Sequence, residues 1–272
     1  MRPLAVTTPD GLTLAAGEWG NPAGPEIVFI HGFSQSFLSW TRQLEDTPLA
    51  QQFRMIAYDL RGHGASDKPL DQAAYLDDRL WADDLAAIIA TAELRRPVLV
   101  GWSFGGRVIS DYVRAYGIAG VAGINFVSAA TKSAPEFVGP VLMDVAGMQS
   151  EDLAANIAAT RRFIRACFAT APAADDFETM LAFNMLVPPR IRAAIRGRPP
   201  NPGDALARMS LPVLVTHGTA DRLVLPGMGH FTAATVPNAR LSLYDDVGHA
   251  PFFEDAPRFN RELGAFVEAA QR

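Results

Sequence analysis

The stretch Pro97-Val98-Leu99-Val100-Gly101-Trp102-Ser103-Phe104-Gly105-Gly106 constrains this chain more than any other. A short β-branched apolar run stops at a glycine, carries one serine, meets two further glycines, and then reads as a helix over 107–116. Gly101 to Gly105 fits the pattern G-x-S-x-G, a strand-to-helix turn so tight that the positions flanking the serine need residues without side chains. Such a turn lifts the serine hydroxyl clear of a sheet. It also aims the first N–H groups of the following helix at the place where an oxyanion would form. A glycine-rich βα turn kept only for packing is the competing reading, and partners elsewhere in the chain must decide between the two.

Residues 4–7 and 12–19 read as two short strands joined by the turn signal Pro9-Asp10-Gly11. Ile27-Val28-Phe29-Ile30 is a continuous apolar run, as expected of a strand covered on both faces. A helix is expected over 36–50, a strand over 53–58, and a helix ending near 94 in which Leu80, Leu85, Ile88 and Ile89 recur at helical spacing. The serine turn and its helix follow, then a strand over 121–127. From 131 to 205 the rhythm changes: apolar-patterned helical pieces near 138–148, 151–169, 174–186 and 188–196 are broken by Pro135, Pro172, Pro188-Pro189 and Pro199-Pro200. Strand–helix alternation resumes with Pro212-Val213-Leu214-Val215-Thr216, a helix around 226–235, a strand around 239–244 and a helix at 256–270. This alternation predicts an α/β protein with a mostly parallel eight-stranded sheet and helices on both faces. The core is expected over 1–130 and 206–272. Residues 131–205 are expected to form an inserted all-helical cap, placed as a lid over the strand ends.

With 272 residues and 49% hydrophobic composition, one large domain with a substantial core is expected. A net charge of −5 and the lack of a basic block argue against a nucleic-acid partner. Cys167 is the sole cysteine, so no intrachain disulfide forms, and with no histidine cluster no metal site is expected. Met1-Arg2-Pro3-Leu4 leads directly into a strand-like segment with no pattern of a secretion signal, and no apolar run approaches membrane-spanning length. A cytoplasmic protein acting on a small molecule, with no membrane partner, is the expectation.

Serine is a weak nucleophile and needs a general base oriented by an acid. His31 and His63 precede glycines in loops before the serine turn and are expected to buttress turns, while His217 and His230 are expected to serve packing or solvation. His249, in Asp246-Val247-Gly248-His249-Ala250-Pro251, lies on a loop between the last strand and the last helix and is the expected base. Asp221, in Gly218-Thr219-Ala220-Asp221, lies just past a strand and is the expected acid, although loops favour such aspartates as turn stabilisers in any case. After the strand at 121–127 no carboxylate competes with it.

The segments Phe29 to Phe33, Asp59-Leu60-Arg61-Gly62-His63-Gly64-Ala65-Ser66, Gly101 to Gly106, Thr216 to Asp221 and Val247 to Ala250 resemble, in order, motifs of the α/β-hydrolase superfamily. The resemblance covers the chain outside the insertion and implies the α/β-hydrolase fold, a Ser103–Asp221–His249 triad and no cofactor. It implies an oxyanion hole from the backbone N–H groups of Phe33 and Phe104, and a structural role for the Arg61-to-Gly64 turn. Residues 131–205 then look like the family's helical cap. Trp102, Phe137, Val141, Met143, Phe163, Phe168, Phe183, Met185 and Leu223 become candidates to line a substrate pocket, lid core being the preferred reading for each cap residue among them. Relatives that make an alkyl-enzyme ester carry aspartate at the serine position, which sets aside haloalkane dehalogenase and epoxide hydrolase activity. The expected activity is carboxylesterase-like hydrolysis of a small, mostly apolar ester, lactone or thioester. A cofactor-free perhydrolase and a carbon–carbon bond hydrolase of ring-cleavage products are alternatives, the latter needing a cation from Arg107, Arg161, Arg162, Arg165, Arg190 or Arg192. A catalytically dead small-ligand receptor is the non-enzyme alternative.

Overall fold

The computed structural model describes the backbone of residues 1–272 and the side chains of all but Met143 and Asp144. The described residues contain an eight-stranded sheet: β1 (Arg2–Thr7), β2 (Thr13–Gly20), β3 (Glu26–Ile30), β4 (Arg54–Tyr58), β5 (Val98–Trp102), β6 (Gly123–Val127), β7 (Val213–Gly218) and β8 (Arg240–Tyr244). Their order is β1-β2-β4-β3-β5-β6-β7-β8. β1, β2 and β4 pair antiparallel, and every pair from β4–β3 through to β8 is parallel.

The apolar runs of the central strands split between two faces. Val28, Ile30, Ile56, Leu99 and Ile124 join one buried cluster, whereas Ile27, Phe29, Met55, Val98 and Val100 join the other. Alternation at period two into two covered faces is what makes each strand read as a continuous hydrophobic run. The first face is covered by α1 (Asp78–Thr91) and α2 (Phe104–Tyr116), through Leu85, Ile88, Val108 and Ile109. The second is covered by Phe259, Leu263, Phe266 and Val267 of the C-terminal helix Ala256–Ala270.

Residues 128–212 run between β6 and β7 and hold α3 (Leu153–Ala166), α4 (Ala174–Met185) and α5 (Pro189–Arg196). The segment expected to be a helix near 138–148 winds instead as a 3₁₀ helix over Pro140–Gln149. This brings Gly147 so close to α3 that a Cβ there would stand 2.8 Å from Ala159 Cβ. Nor is the insertion purely helical, because Val138 forms an isolated antiparallel bridge with Val224 beyond β7. The helix expected over 36–50 is broken into a 3₁₀ turn and two short helices. Asp46 restarts the chain there, accepting from Leu49 N at 2.9 Å, with Pro48 in the first turn. No helix among the described residues is long and apolar enough to cross a membrane.

The turn after β4 is fastened by Arg61, whose side chain is fully buried. Its Nε and Nη2 bind the two Asp84 carboxylate oxygens at 2.7 and 2.6 Å, and Nη1 donates to Asp10 at 3.1 Å and to Ala74 O at 2.8 Å. A bidentate pair holds this loop against α1, as the resemblance to a structural turn implied. Asp84→Ala leaves a buried guanidinium with the exposed Asp10 as its one remaining carboxylate partner among the described residues, and should cost about 3–5 kcal/mol of unfolding free energy in denaturant titration. A loss below about 1 kcal/mol would show that the pair does not hold the turn.

Candidate active site

The strand order reverses at β3: β4 lies on one side of it and β5 on the other. Ligands of open α/β sheets bind in the crevice outside the strand ends at such a switch point. β3 and its neighbour β5 both run into motifs singled out above, β3 into His31-Gly32-Phe33 and β5 into Ser103.

Ser103 caps α2 with φ 53° and ψ −114°, a conformation that non-glycine residues rarely adopt. Neighbouring backbone holds it there. A Cβ on Gly105 would lie 2.4 Å from Ile30 O, and one on Gly101 would lie 2.6 Å from Ile109 Cδ1. The close approach of α2 to β3 therefore requires Gly105, and that of α2 to β5 requires Gly101; together they set Phe104 beside the loop that carries Phe33. Among the described residues neither Phe33 N–H nor Phe104 N–H has a hydrogen-bond partner.

Ser103, His249, Phe33 and Phe104 line one cavity of about 290 Å³. His249 Nδ1 lies 2.7 Å from Asp221 Oδ2. The other Asp221 oxygen accepts from Leu223 N at 2.9 Å and Val224 N at 3.1 Å. Burial pushes the Asp221 carboxyl up, but the attraction of His249 and hydrogen bonding from His217 and His249 outweigh it and hold the group well below the usual carboxylate range. Its charge at neutral pH faces the imidazole. No hydrogen bond joins Ser103 Oγ to His249 among the described residues; in unliganded sites such a contact commonly tightens only with substrate.

The backbone of His249 is fixed from three sides. Its N–H donates to Cys167 O at 2.9 Å, just past the end of α3, and its carbonyl accepts from Trp102 Nε1 at 2.8 Å. Glu254 takes the neighbouring Gly248 N on one oxygen at 2.8 Å, and Ala169 N and Thr170 N on the other at 2.8 and 3.0 Å. Sequence reasoning missed these supports because two of them act through backbone carbonyls, which any residue supplies. It also missed His217, whose Nε2 lies 3.2 Å from Asp221 Oδ2. The signal was present in the spacing His217-Gly-Thr-Ala-Asp221, a turn short enough to fold back on itself.

Leu223 and Phe163 line the cavity, with Leu142, Val145 and Ile195 completing an apolar wall. Trp102, Phe168 and Phe183 instead surround a separate, almost closed apolar space next to Cys167. Trp102 points that way because successive strand side chains alternate in direction. Phe137 packs on Phe231, with ring centroids 5.3 Å apart, and Met185, near the end of α4, does not line the cavity. The side chain of Met143 lies outside the described residues. Among the arginines considered as anion holders, Arg107 reaches the cavity but is engaged by Asp78 at 3.1 Å and Pro199 O. Arg192 is buried and consumed by Met148 O, Asn156, Thr160 and Asn184 O. Arg161 and Arg165 lie over the Phe177 ring. Arg196, not anticipated, also lines the cavity.

Fold and geometry define a class: a doubly wound α/β protein with a strained serine, a histidine and a buried aspartate gathered at the switch point of its sheet. The chain belongs to the Alpha/beta hydrolase family, whose model matches residues 27–262. It is similar in structure to a protein described as an aryl esterase from Burkholderia cenocepacia, with a TM-score of 0.95, 41% identity and 99% of each chain covered. It is similar also to the esterase RhEst1 from Rhodococcus sp. ECU1013, with a TM-score of 0.92, 33% identity and coverage of 99% of this chain and 100% of that one. In sequence it is 28% identical to the bifunctional esterase/perhydrolase DCH of Acinetobacter calcoaceticus, over 97% of this chain and 99% of that protein.

The loop carrying Phe33 rests on two buried histidines. His31 Nε2 accepts from Leu60 N at 3.0 Å and His63 Nε2 from Ser34 N at 3.1 Å, while their Nδ1 atoms lie 2.8 and 2.9 Å from Gly32 O and Arg61 O. Each ring is neutral with its proton on Nδ1. Burial pushes His31 down to about 4, and burial with repulsion from His31 pushes His63 down to about 3. Below the ordinary value of about 6.5 the unfolded chain takes up these protons and the folded one does not. The stability they represent is therefore complete above about pH 6.5 and falls as pH drops toward 4, by about 1.4 kcal/mol per pH unit for each ring. Denaturant titrations across pH 4–6.5 should show this slope, and His63→Gln should make it shallower; an unchanged slope would show that His63 is not a neutral strut.

Proposed function

We propose that the protein is a serine hydrolase of small, mostly apolar carboxylic esters, lactones or thioesters, with Ser103 as nucleophile, His249 as general base and Asp221 as its orienting acid. The observation that carries this reading is the 2.7 Å contact between Asp221 and His249 beside a cavity that His249 shares with the strained Ser103. The esterase names of the similar structures support the substrate class.

Ser103 Oγ attacks the carbonyl carbon while His249 Nε2 takes its proton. The tetrahedral oxyanion is held by Phe33 N–H and Phe104 N–H, one such donor being worth about 3–4 kcal/mol of barrier. Collapse breaks the bond to the leaving oxygen or sulfur, which receives the proton from His249. Water then gives a proton to His249 and attacks the acyl carbon, and the second collapse returns that proton to Ser103 Oγ. Hydrogen peroxide in place of that water would release a peracid, and the esterase/perhydrolase relative favours testing this second acceptor. Residues 131–205 act as a cap that supplies the wall against the substrate's bulky part, through Leu142, Val145, Phe163 and Ile195.

Ser103→Ala and His249→Ala should each lower kcat on p-nitrophenyl esters by about 10⁴-fold or more, and Asp221→Asn by a similar or somewhat smaller factor. Near-full activity in Ser103→Ala would end the covalent reading, and a wild-type enzyme inert on esters, lactones and thioesters alike would favour a receptor. Phe163→Ala should shift the acyl-length optimum upward, in a graded way because a buried methylene is worth only about 1 kcal/mol. Phe183→Ala, in the separate apolar space, should leave the order of preference unchanged. A kcat/KM series over acyl lengths checks both.

A further inference from the structure

We infer that His217 is a positioning residue for the acid: its Nε2–H holds the turn that carries Asp221 and shares the charge of the oxygen that faces His249. This inference rests on the triad reading above. His217 is the penultimate residue of β7, and its imidazole is almost wholly buried. Nε2 lies 2.9 Å from Val224 O and 3.2 Å from Asp221 Oδ2. Both neighbours are acceptors, so the proton of a neutral ring belongs on Nε2. Nδ1, on the other edge, is buried without a partner and is fitted to Gly229, where a Cβ would stand 2.9 Å from it. A helix residue with any side chain would press the ring off its place, so the glycine and the histidine form one arrangement.

The turn is closed on both sides. Asp221 Oδ1 gathers Leu223 N and Val224 N, and the Val224 carbonyl returns to His217 Nε2. Oδ2 is left between two imidazoles, His249 at 2.7 Å and His217 at 3.2 Å. The same turn presents Leu223 and Val224 to the cavity, so one ring steadies both the acid and part of the wall. The remaining ionisable groups nearby do not compete for Oδ2. The Cys167 thiol, past the end of α3, is pushed up by burial and stays neutral, with Glu254 behind it engaged by backbone N–H groups. Arg222 is exposed and directed at Phe168 O.

A donor beside a carboxylate lowers its basicity. Without the His217 N–H, Asp221 becomes more basic and favours the imidazolium form of His249, so the acidic limb of kcat/KM moves to higher pH. A turn that had merely loosened would weaken the Asp221–His249 contact and move the limb the other way, or not at all.

The experiment compares pH profiles of kcat/KM on a p-nitrophenyl ester for wild type, His217→Leu, His217→Gln and His217→Asn. Leu removes the donor, Gln carries an N–H the same number of bonds from Cβ as Nε2, and Asn stops one bond short. The limb should rise by about half to one pH unit in His217→Leu and His217→Asn and return toward wild type in His217→Gln. A limb unmoved or lowered in His217→Leu overturns the inference. If the variants do not fold, imidazole ¹⁵N spectra of the wild-type protein decide: the Nε2–H tautomer of His217 is required, and Nδ1–H overturns it. Ser103→Ala and Asp221→Asn are assayed alongside. Activity surviving in those two would bring down the triad reading and this one with it, whereas their inactivity with an unmoved His217→Leu limb would bring down this one alone.

Discussion

The close approach of α2 to β3 is the contact on which the rest of the site depends. Ser103 takes a positive φ only because the chain must leave β5 and enter a helix without a connecting loop, and because backbone of β3 lies where a Cβ on Gly105 would be. The same approach sets Phe104 next to the loop after β3, so the proposed nucleophile and the proposed oxyanion donors arise from one packing event. Strain of order 1–3 kcal/mol at such a residue persists only if the surroundings over-determine it. Here they do: Ser103 N donates to Val127 O at 3.0 Å and Ser103 O accepts from Ala130 N at 2.9 Å, tying the turn to β6 and the chain after it.

The neighbouring loops meet a second demand, which is to hold polar groups out of water without leaving them unpaired. His31 and His63 do so as neutral struts, each accepting one backbone N–H and donating to one carbonyl. Asp221 does so as an anion surrounded by two backbone N–H groups and two imidazoles. Three histidines with similar burial thus take different tasks, set by what faces each ring edge. Two acceptors at one edge, as for His217, make a donor; an N–H at Nε2 and a carbonyl at Nδ1, as for His31, make a strut.

Much of this was legible in the sequence because it rests on local rules. Short apolar runs bounded by turn residues located every strand of the sheet to within a few residues, and the order of the short motifs placed Ser103, Asp221 and His249 just past strand ends. The pocket was less legible. Phe168 and Phe183 are as apolar as Phe163, and only tertiary packing sends the first two to the space beside Cys167 and the third to the cavity with Ser103. The 3₁₀ winding of Pro140–Gln149 was hidden for a similar reason, since its apolar pattern suits an α-helix and close contact with α3 decides otherwise. Arg192 was offered as a ligand-binding cation, and nothing in its neighbours' identities indicated that backbone carbonyls would claim it.

That arginine explains how a segment so interrupted by proline holds together. Each break leaves the last carbonyls of a helix without partners, and those ends carry partial negative charge. Arg192 is fully buried and has no carboxylate partner among the described residues, yet it donates to Met148 O and Asn184 O, near the ends of the 3₁₀ helix and of α4. Its remaining contacts are Asn156 and Thr160 on α3. Burial lowers its pKa only to about 10, so the charge remains at neutral pH. One cation from α5 thereby joins the 3₁₀ helix, α3 and α4. The break before Pro188 ends α4 just past Asn184, and the turn at Ser150 ends the 3₁₀ helix just past Met148, so the wall over Ser103 is built from pieces whose breaks are also their point of attachment.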